Sequence, residues 1–213
     1  MTELNLQTFT DVQLHFKLKH VSLVVKDVSV VRVIRTIAAV NAAPFTLVFA
    51  GGTAAARAHK VVQRMSEDVD FKIVPPAGTA LSKNQLRKLL GELRDRVTEA
   101  LQQAGFAIDP TNTKQRRSRN ENRYTIFHLE YDSPVSAADA LRPTILVELT
   151  YATLRTPSVS KTVSSFVAEA LKQPPEVASI PCVSLTETAA EKFVALTRRT
   201  AMELAGLSRD VDP

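Results

Sequence analysis

The stretch VFAGGTAAARAHKVVQRMSEDVDFKIV, Val48 to Val74, has a glycine pair near its start and two aspartates near its end. The apolar run FTLVFA at residues 45–50 predicts a buried strand, which the glycines Gly51 and Gly52 terminate. Apolar residues then recur at helical spacing from Thr53 to Met65, which predicts a helix entered directly from the glycine turn.

The acidic end of the stretch, DVDFKIV at Asp68 to Val74, alternates polar and apolar residues. Because strand side chains point alternately to two faces, this pattern predicts a strand with Asp68 and Asp70 on one face. Paired carboxylates suit Mg²⁺, which proteins commonly hold with one or two carboxylates plus substrate phosphates. A solvated strand face is the alternative interpretation.

The glycine turn also has two interpretations. Free N–H groups at a helix start attract phosphate, so Gly51, Gly52 and Thr53 are candidates for binding a nucleoside triphosphate. Glycines before a helix equally serve as simple turn geometry. The combination with Asp68 and Asp70 favours a metal–nucleotide site, since divalent cations would lie between phosphates and carboxylates that otherwise repel each other.

Composition sets the class of protein. The 213 residues are 45% hydrophobic and 23% charged, which is typical of a globular protein with a full core. A single cysteine excludes an internal disulfide, which favours the cytoplasm, and no apolar run predicts a membrane span or partner. The net charge of +5 fits an RNA partner or an even spread of lysines.

Hydrophobic periodicity organises the flanking segments. Residues 10–27 fit both a strand and a helical stripe, of which we favour the strand, whereas residues 29–40 predict a helix. Ser82 and Gln85 form a predicted capping box at the start of a long amphipathic helix that should end at Gly105.

Two more strands are predicted at residues 124–131 and 144–151. In the second, TILVELTY, Val147 and Leu149 alternate with Glu148, so Glu148 would share the face of the aspartates if the strands are neighbours. Glu148 is therefore a third candidate metal ligand, and a surface glutamate on an edge strand is the alternative.

Beyond Pro157 the pattern turns helical, with a short stripe from Val163 to Leu171 and a longer one from Thr186, the predicted N-cap, to Ala205. We predict an α/β domain at residues 1–155, with a mixed sheet flanked by helices in the α+β manner. A helical segment at residues 156–213 would begin a C-terminal helical domain.

The basic stretch KQRRSRNENR, Lys114 to Arg123, suits either a solvated loop or a clamp for RNA phosphates. Tyr124 is the chief aromatic residue nearby, so charge and shape would matter more than base recognition. The candidate RNA-binding residues are Lys114, Arg116, Arg117, Arg119 and Arg123.

The motif GGT at residues 51–53, followed by RMSEDVDF at Arg64 to Phe71, resembles the signature of the DNA polymerase β-type nucleotidyltransferase superfamily. Within it, the motif is similar to that of the AbiEii/AbiGii toxin family. The segment TAAEKFVALTRR, Thr188 to Arg199, resembles the lysine-bearing helix of that family, with Lys192 at the matching position. The resemblance spans most of residues 45–209 and implies a polymerase β-like core.

The resemblance implies the toxin of a toxin–antitoxin pair, with a cognate antitoxin and a target such as tRNA. It implies a Mg²⁺-dependent reaction in which a target hydroxyl attacks the α-phosphate of a nucleoside triphosphate and pyrophosphate leaves. Glu148 would help to deprotonate the hydroxyl. Arg64 matches the motif without a clear role.

The predicted site residues fall into overlapping groups. The catalytic group is Asp68, Asp70, Glu148 and Lys192, of which the three carboxylates are metal ligands. The nucleotide-binding group is Gly51, Gly52, Thr53, Ser66 and Lys192.

Family members usually continue past the lysine helix into an Arg-rich segment with a Tyr-Asp pair. This sequence ends in LSRDVDP, where Asp210 and Asp212 lack the tyrosine, and we expect truncation before that further aspartate. Three alternatives stay open: nucleotide transfer to a protein or small molecule, transfer of a terminal phosphate, and a non-catalytic binding protein.

Overall fold

The computed structural model describes residues 5–62, 66–78, 80–135 and 141–207. The helices are α1 (Leu6–His15), α2 (Val21–Ala38), α3 (Gly51–Thr53, continued by a π-helical turn at Ala54–Ala58), α4 (Lys83–Gln103), α5 (Phe166–Ala170) and α6 (Leu185–Leu204). The strands are β1 (Thr46–Ala50), β2 (Asp68–Val74), β3 (Arg116–Arg119), β4 (Tyr124–Glu130), β5 (Thr144–Tyr151), β6 (Val159–Val163) and β7 (Val177–Cys182).

A mixed seven-stranded sheet in the order β3-β4-β5-β2-β1-β7-β6 organises the described residues. Strand β2 pairs in parallel with β5 and antiparallel with β1, so it lies at the centre of the sheet. The edges are antiparallel pairs, β3 with β4 and β6 with β7. The predicted mixed sheet flanked by helices is confirmed.

One face of the sheet carries the main core. Val69 and Phe71 of β2 and Val147 of β5 are fully or almost fully buried, because helices α2 and α4 cover this face. The apolar stripes of the two helices complete the same cluster, with Val30, Val33, Ile34 and Ile37 from α2 and Leu86, Leu90, Leu93, Val97 and Leu101 from α4. The alternate side chains of β2 and β5 therefore face away from the core.

The predicted capping box of α4 is confirmed. Ser82 Oγ accepts a hydrogen bond from the Gln85 amide at 3.3 Å, and Gln85 Oε1 accepts one from the Ser82 amide at 3.0 Å. The helix ends at Gln103, two residues before Gly105, whose φ of +90° suits glycine.

The strand predicted at residues 10–27 is wrong, because residues 10–15 belong to helix α1, residues 21–27 belong to helix α2, and residues 16–20 connect the two helices. Helix α1 begins after Asn5, whose side chain accepts a hydrogen bond from the Thr8 amide at 3.0 Å. Phe9 and Val12 are buried at helical spacing, whereas Leu14 is 66% exposed, so the apparent alternation does not mark a buried strand face.

The helix predicted from Thr53 to Met65 is shorter than expected. It runs through α3 and the π-helical turn to Ala58, and Lys60 then adopts a φ of +57°, which is incompatible with continuing the helix. Met65 lies outside the described residues.

The basic stretch at Lys114 to Arg123 contains a strand that its sequence did not predict. Strand β3 has no apolar residues, and backbone pairing to β4 defines it as an edge strand. Residues 120–122 all have positive φ and form the tight connection to β4.

The helical prediction beyond Pro157 is wrong for residues 159–163 and 177–182, which form β6 and β7. Only Phe166–Ala170 of the predicted short stripe is helical, and the long helix has Ser184 rather than Thr186 as its N-cap. The division at residue 155 stays a prediction. None of the described helices combines the length and apolar character needed to cross a membrane.

Candidate active site

Three carboxylates share the face of the sheet opposite the main core. In the parallel pair of β2 and β5, Asp70 lies opposite Glu148 and Asp68 lies opposite Leu146. Residues opposite one another on neighbouring strands point to the same face, so Asp68, Asp70 and Glu148 share one face. The sequence placed Glu148 on the face of the aspartates on the condition that their strands are neighbours. Strands β2 and β5 are neighbours in the sheet, so this condition is met.

The glycine turn lies directly against Asp70. Gly51 has a φ of +74°, and a Cβ atom at this position would lie only 1.7 Å from Asp70 Oδ2. A Cβ on Gly52 would approach Ser66 Oγ to 3.0 Å. Glycine therefore lets the backbone after β1 lie beside the carboxylate and the SEDVDF segment.

The side chain of Thr53 is turned inward. It is 1% exposed, and its hydroxyl donates a hydrogen bond to the backbone carbonyl of Asp68. This bond ties the glycine turn to the start of β2. Any contact of Thr53 with a nucleotide would therefore use its backbone.

The electrostatics of the cluster favour a bound cation. Burial, followed by the charges of Glu148 and Asp68, raises the pKa of Asp70 to about 7, while Lys192 acts in the opposite direction. An added cation would offset this repulsion and keep the carboxylate ionised. Lys192, an exposed residue of α6, is thus close enough for its charge to act on Asp70.

Tyr124 belongs to the site although the sequence suggested it only as an aromatic near the basic stretch. Burial raises the pKa of its hydroxyl, and the charge of Glu148 together with a hydrogen bond to that carboxylate raises it further. The proton of Tyr124 thus stays in place to donate to Glu148. Only the strand register brings the two together, so local sequence offered no signal.

A network of hydrogen bonds and ion pairs around buried Lys26 holds the acidic segment at Glu67 and Asp68. The Lys26 ammonium is fully buried and donates to the Glu67 carboxylate and, at 2.7 Å, to the Arg142 carbonyl. The Arg142 amide donates to Glu67 at 3.0 Å, and its guanidinium pairs with Asp68 at 2.9 Å. The lysine within the apolar stripe of α2 was the available sequence signal for this network.

Helix α6 is anchored to the sheet by Lys72, which shares the face of Asp70. Lys72 Nζ pairs with the buried Glu187 carboxylate at 2.9 Å and also with Glu191. Burial alone would raise the pKa of Glu187, but hydrogen bonds from Lys72 and from the Thr156 and Arg155 amides outweigh it and lower that pKa to about 2. This anchor sets where Lys192, one residue after Glu191, lies relative to the carboxylates.

The carboxylates fit a divalent cation by their chemistry. Among the described residues, no group of three or more His, Cys, Asp or Glu side chains is gathered closely enough to hold a metal alone. Mg²⁺ does not need such a cage, because phosphate oxygens and water commonly complete its coordination. Asp70 and Glu148, with Asp68 beside them, supply the hard oxygen donors that such a shared site requires.

The basic residues of the Lys114 to Arg123 stretch divide into groups. Arg116 faces inward and bonds to Asp95 at 2.8 Å, to Thr98 at 3.0 Å and to the Pro110 carbonyl at 3.1 Å. The guanidinium carbon of Arg123 lies 5.8 Å from the centre of the Tyr151 ring. The exposed side chains are those of Lys114, Arg117, Arg119 and Arg123. Arg64, Asp210 and Asp212 lie outside the described residues.

A family model identifies the class of protein to which the chain belongs. The family model described as "Nucleotidyl transferase AbiEii toxin, Type IV TA system" matches residues 35–211. The chain belongs to this family, which confirms the resemblance carried by the GGT and SEDVDF motifs.

A solved structure supports the fold. The chain is similar to MenT4, a nucleotidyltransferase toxin from Mycobacterium tuberculosis H37Rv, with a TM-score of 0.53 and 17% sequence identity. The match covers 87% of this chain and 57% of the MenT4 chain, so this chain spans just over half the length of that relative. No curated protein matches the chain.

Proposed function

We propose that the chain is a Mg²⁺-dependent nucleotidyltransferase toxin that transfers a nucleotide from a nucleoside triphosphate to an RNA acceptor such as tRNA. The observation that carries the proposal is the register that sets Asp70 opposite Glu148, with the Gly51 backbone against Asp70. Family membership supports the reaction class and the pairing with a cognate antitoxin.

In this proposal the residues divide the work. Asp68, Asp70 and Glu148 hold Mg²⁺, which when bound would neutralise the phosphates and stabilise the charge that develops during transfer. The backbone of Gly51, Gly52 and Thr53 approaches the triphosphate without a side chain at the glycines, next to Ser66. Lys192, on helix α6, contacts a phosphate of the nucleotide.

The proposed reaction is a displacement at the α-phosphate. The acceptor hydroxyl oxygen forms the new bond to phosphorus, the bond to the β-phosphate oxygen breaks, and pyrophosphate leaves with that electron pair. Glu148 accepts the hydroxyl proton, and the hydrogen bond from Tyr124 orients its carboxylate for this role. Arg142 pairs with Oδ1 of Asp68 at 2.9 Å, so a cation at this carboxylate would either use Oδ2 or displace the guanidinium.

The setting of the reaction is part of the same proposal. A toxin that modifies tRNA acts in the cytoplasm, with no membrane partner and with its antitoxin as a protein partner. The +5 net charge supports an RNA acceptor over a neutral small molecule.

The test uses the full chain, Mg²⁺, total bacterial tRNA and each nucleoside triphosphate labelled in turn at the α- or γ-phosphate. The proposal expects α-label on RNA and none of the γ-label. Transfer of γ-label would instead identify a phosphotransferase, and label on protein alone would identify a different acceptor. Absence of both transfer and nucleotide-induced thermal stabilisation would indicate a non-catalytic protein.

A further inference from the structure

The face of the sheet that bears the carboxylates continues onto the basic edge strand β3. The register runs straight across the strands: Arg117 lies opposite Ile126, Ile126 opposite Glu148, and Glu148 opposite Asp70. Arg119 lies opposite Tyr124, the tyrosine that donates to Glu148. Both arginines therefore face the same side as the carboxylates.

The spacing suits an extended acceptor. Neighbouring strands lie about 4.8 Å apart, so the backbone of β3 is roughly 10 Å from that of β5. Arginine side chains on β3 are thus a few nucleotides away from a hydroxyl held beside Glu148. A chain of phosphates leading to that hydroxyl would pass over Arg117 and Arg119.

These two side chains differ from the arginines that hold the fold together. Arg117 and Arg119 are exposed, and no hydrogen bond or ion pair to another residue in the described ranges engages either guanidinium. Arg116, between Arg117 and the preceding turn, is used instead to join β3 to Asp95 and Thr98 of α4. Charges on an edge strand also discourage edge-to-edge pairing, but that role does not require them to face the carboxylates.

The Gly51 turn lies on the other side of the carboxylates. It follows β1, and the sheet order β3-β4-β5-β2-β1 places the carboxylates of β5 and β2 between this turn and the arginines of β3. Lys192 of α6 lies close enough for its charge to act on Asp70. The nucleotide and the acceptor can then approach from opposite sides.

Resting on the proposed function, we propose that Arg117 and Arg119 form the acceptor-binding surface and hold backbone phosphates of a single-stranded RNA end. The nucleoside triphosphate lies on the opposite side, against Gly51 and Lys192. Phosphate contacts of this kind position a strand without reading its sequence, and Tyr124, opposite Arg119, adds an aromatic ring to the same surface.

The test compares two double variants with the same change in charge. R117Q/R119Q removes the proposed surface, and R87Q/K88Q removes two exposed cations from α4, which covers the other face of the sheet. Binding of a fluorescein-labelled tRNA is measured by anisotropy at several KCl concentrations, without nucleotide, and melting temperatures verify folding.

We expect R117Q/R119Q to bind at least about 10-fold more weakly, with a salt dependence of log K shallower by about 1.5 to 2. R87Q/K88Q should stay within about 2-fold of wild type. Equal affinities for all three proteins, equal losses in both variants, or no RNA binding by wild type would overturn the proposal.

The binding assay separates this proposal from the proposed function. Arginine-dependent RNA binding by a wild-type protein that transfers no label would support the surface and contradict the transferase. Label transfer that R117Q/R119Q performs as well as wild type at subsaturating tRNA would support the transferase and overturn the surface.

Discussion

Asp70 of β2 and Glu148 of β5 lie directly opposite each other in the parallel pair at the centre of the sheet. Both face away from the main core, and burial together with the charge of Glu148 raises the pKa of Asp70. A bound cation or a proton relieves the repulsion between carboxylates held side by side, and groups perturbed in this way cluster at functional sites. The proposed metal–nucleotide site would supply the cation and the function, and five predictions test the residues that form it and the contacts that support it.

Gly51→Ala should destabilise the protein more than a glycine replacement elsewhere with similar backbone geometry. Gly51 and Gly105 both have positive φ, but a Cβ at residue 51 meets Asp70 while one at residue 105 has no described atom within 4 Å. We expect Gly105→Ala to lower the free energy of unfolding by about 1 kcal/mol, and Gly51→Ala to lower it by about 2 kcal/mol more than that, as measured by urea denaturation. Equal losses would show that Asp70 moves aside freely.

Tyr124→Phe should lower transfer without unfolding the protein. It removes the hydroxyl that donates to Glu148 and leaves the ring in place. We expect transfer to RNA to fall about 10- to 150-fold, which corresponds to about 1.5 to 3 kcal/mol for one hydrogen bond to a charged group. Tyr151→Phe is the matched control and should keep wild-type activity. Indistinguishable activities of the two variants would argue against a role for Tyr124 at Glu148.

Lys26→Met should destabilise the fold because it leaves Glu67 without its buried cation. We expect a loss of about 3 kcal/mol, against less than about 1 kcal/mol for Lys60→Met, which breaks the exposed pair with Glu169. Adding Glu67→Gln to Lys26→Met should recover part of the loss, as a double-mutant cycle would measure. Strictly additive losses would show that Lys26 and Glu67 are not coupled.

Glu187→Gln should weaken the attachment of α6 in a pH-dependent way. The pKa of Glu187 is lowered to about 2 in the fold, so its contribution is present above its ordinary pKa near 4.5 and is lost as pH falls from there towards 2. Thermal unfolding should therefore show a larger difference in melting temperature between wild type and Glu187→Gln at pH 6 than at pH 3. Glu191→Gln, which removes the more exposed partner of Lys72, should lower the melting temperature at pH 6 by less than Glu187→Gln does.

The central strands and the carboxylate face were predictable from the sequence, because DVDFKIV and TILVELTY alternate strictly and their apolar residues fill one core. The strand register was not predictable from the sequence. Asp70 and Glu148 are 78 positions apart, and pairing over such a separation leaves no local pattern. Tyr124 reaches Glu148 only through the register of β4 with β5, and Arg142, which precedes β5, pairs with Asp68 from 74 positions away.

The errors have a common physical origin. RRSR in β3 has no apolar face to mark a strand, because backbone pairing at an edge creates it. The predicted helical stripe from Val163 to Leu171 combines the last residue of β6 with the residues of α5. The alternation of apolar residues at positions 10–27 arises by chance in a segment that forms parts of two helices. Tertiary pairing therefore decided these segments rather than local periodicity.

The most direct measurement is transfer of α-labelled nucleotide to tRNA by wild type, Asp70→Asn and Asp11→Asn in Mg²⁺. Asp11 is an exposed aspartate of α1, outside the carboxylate face, and it controls for the loss of one charge. We expect wild type and Asp11→Asn to transfer label equally and Asp70→Asn to be at least about 100-fold slower. Transfer by Asp70→Asn at the wild-type rate would contradict the assignment of this face as the metal–nucleotide site.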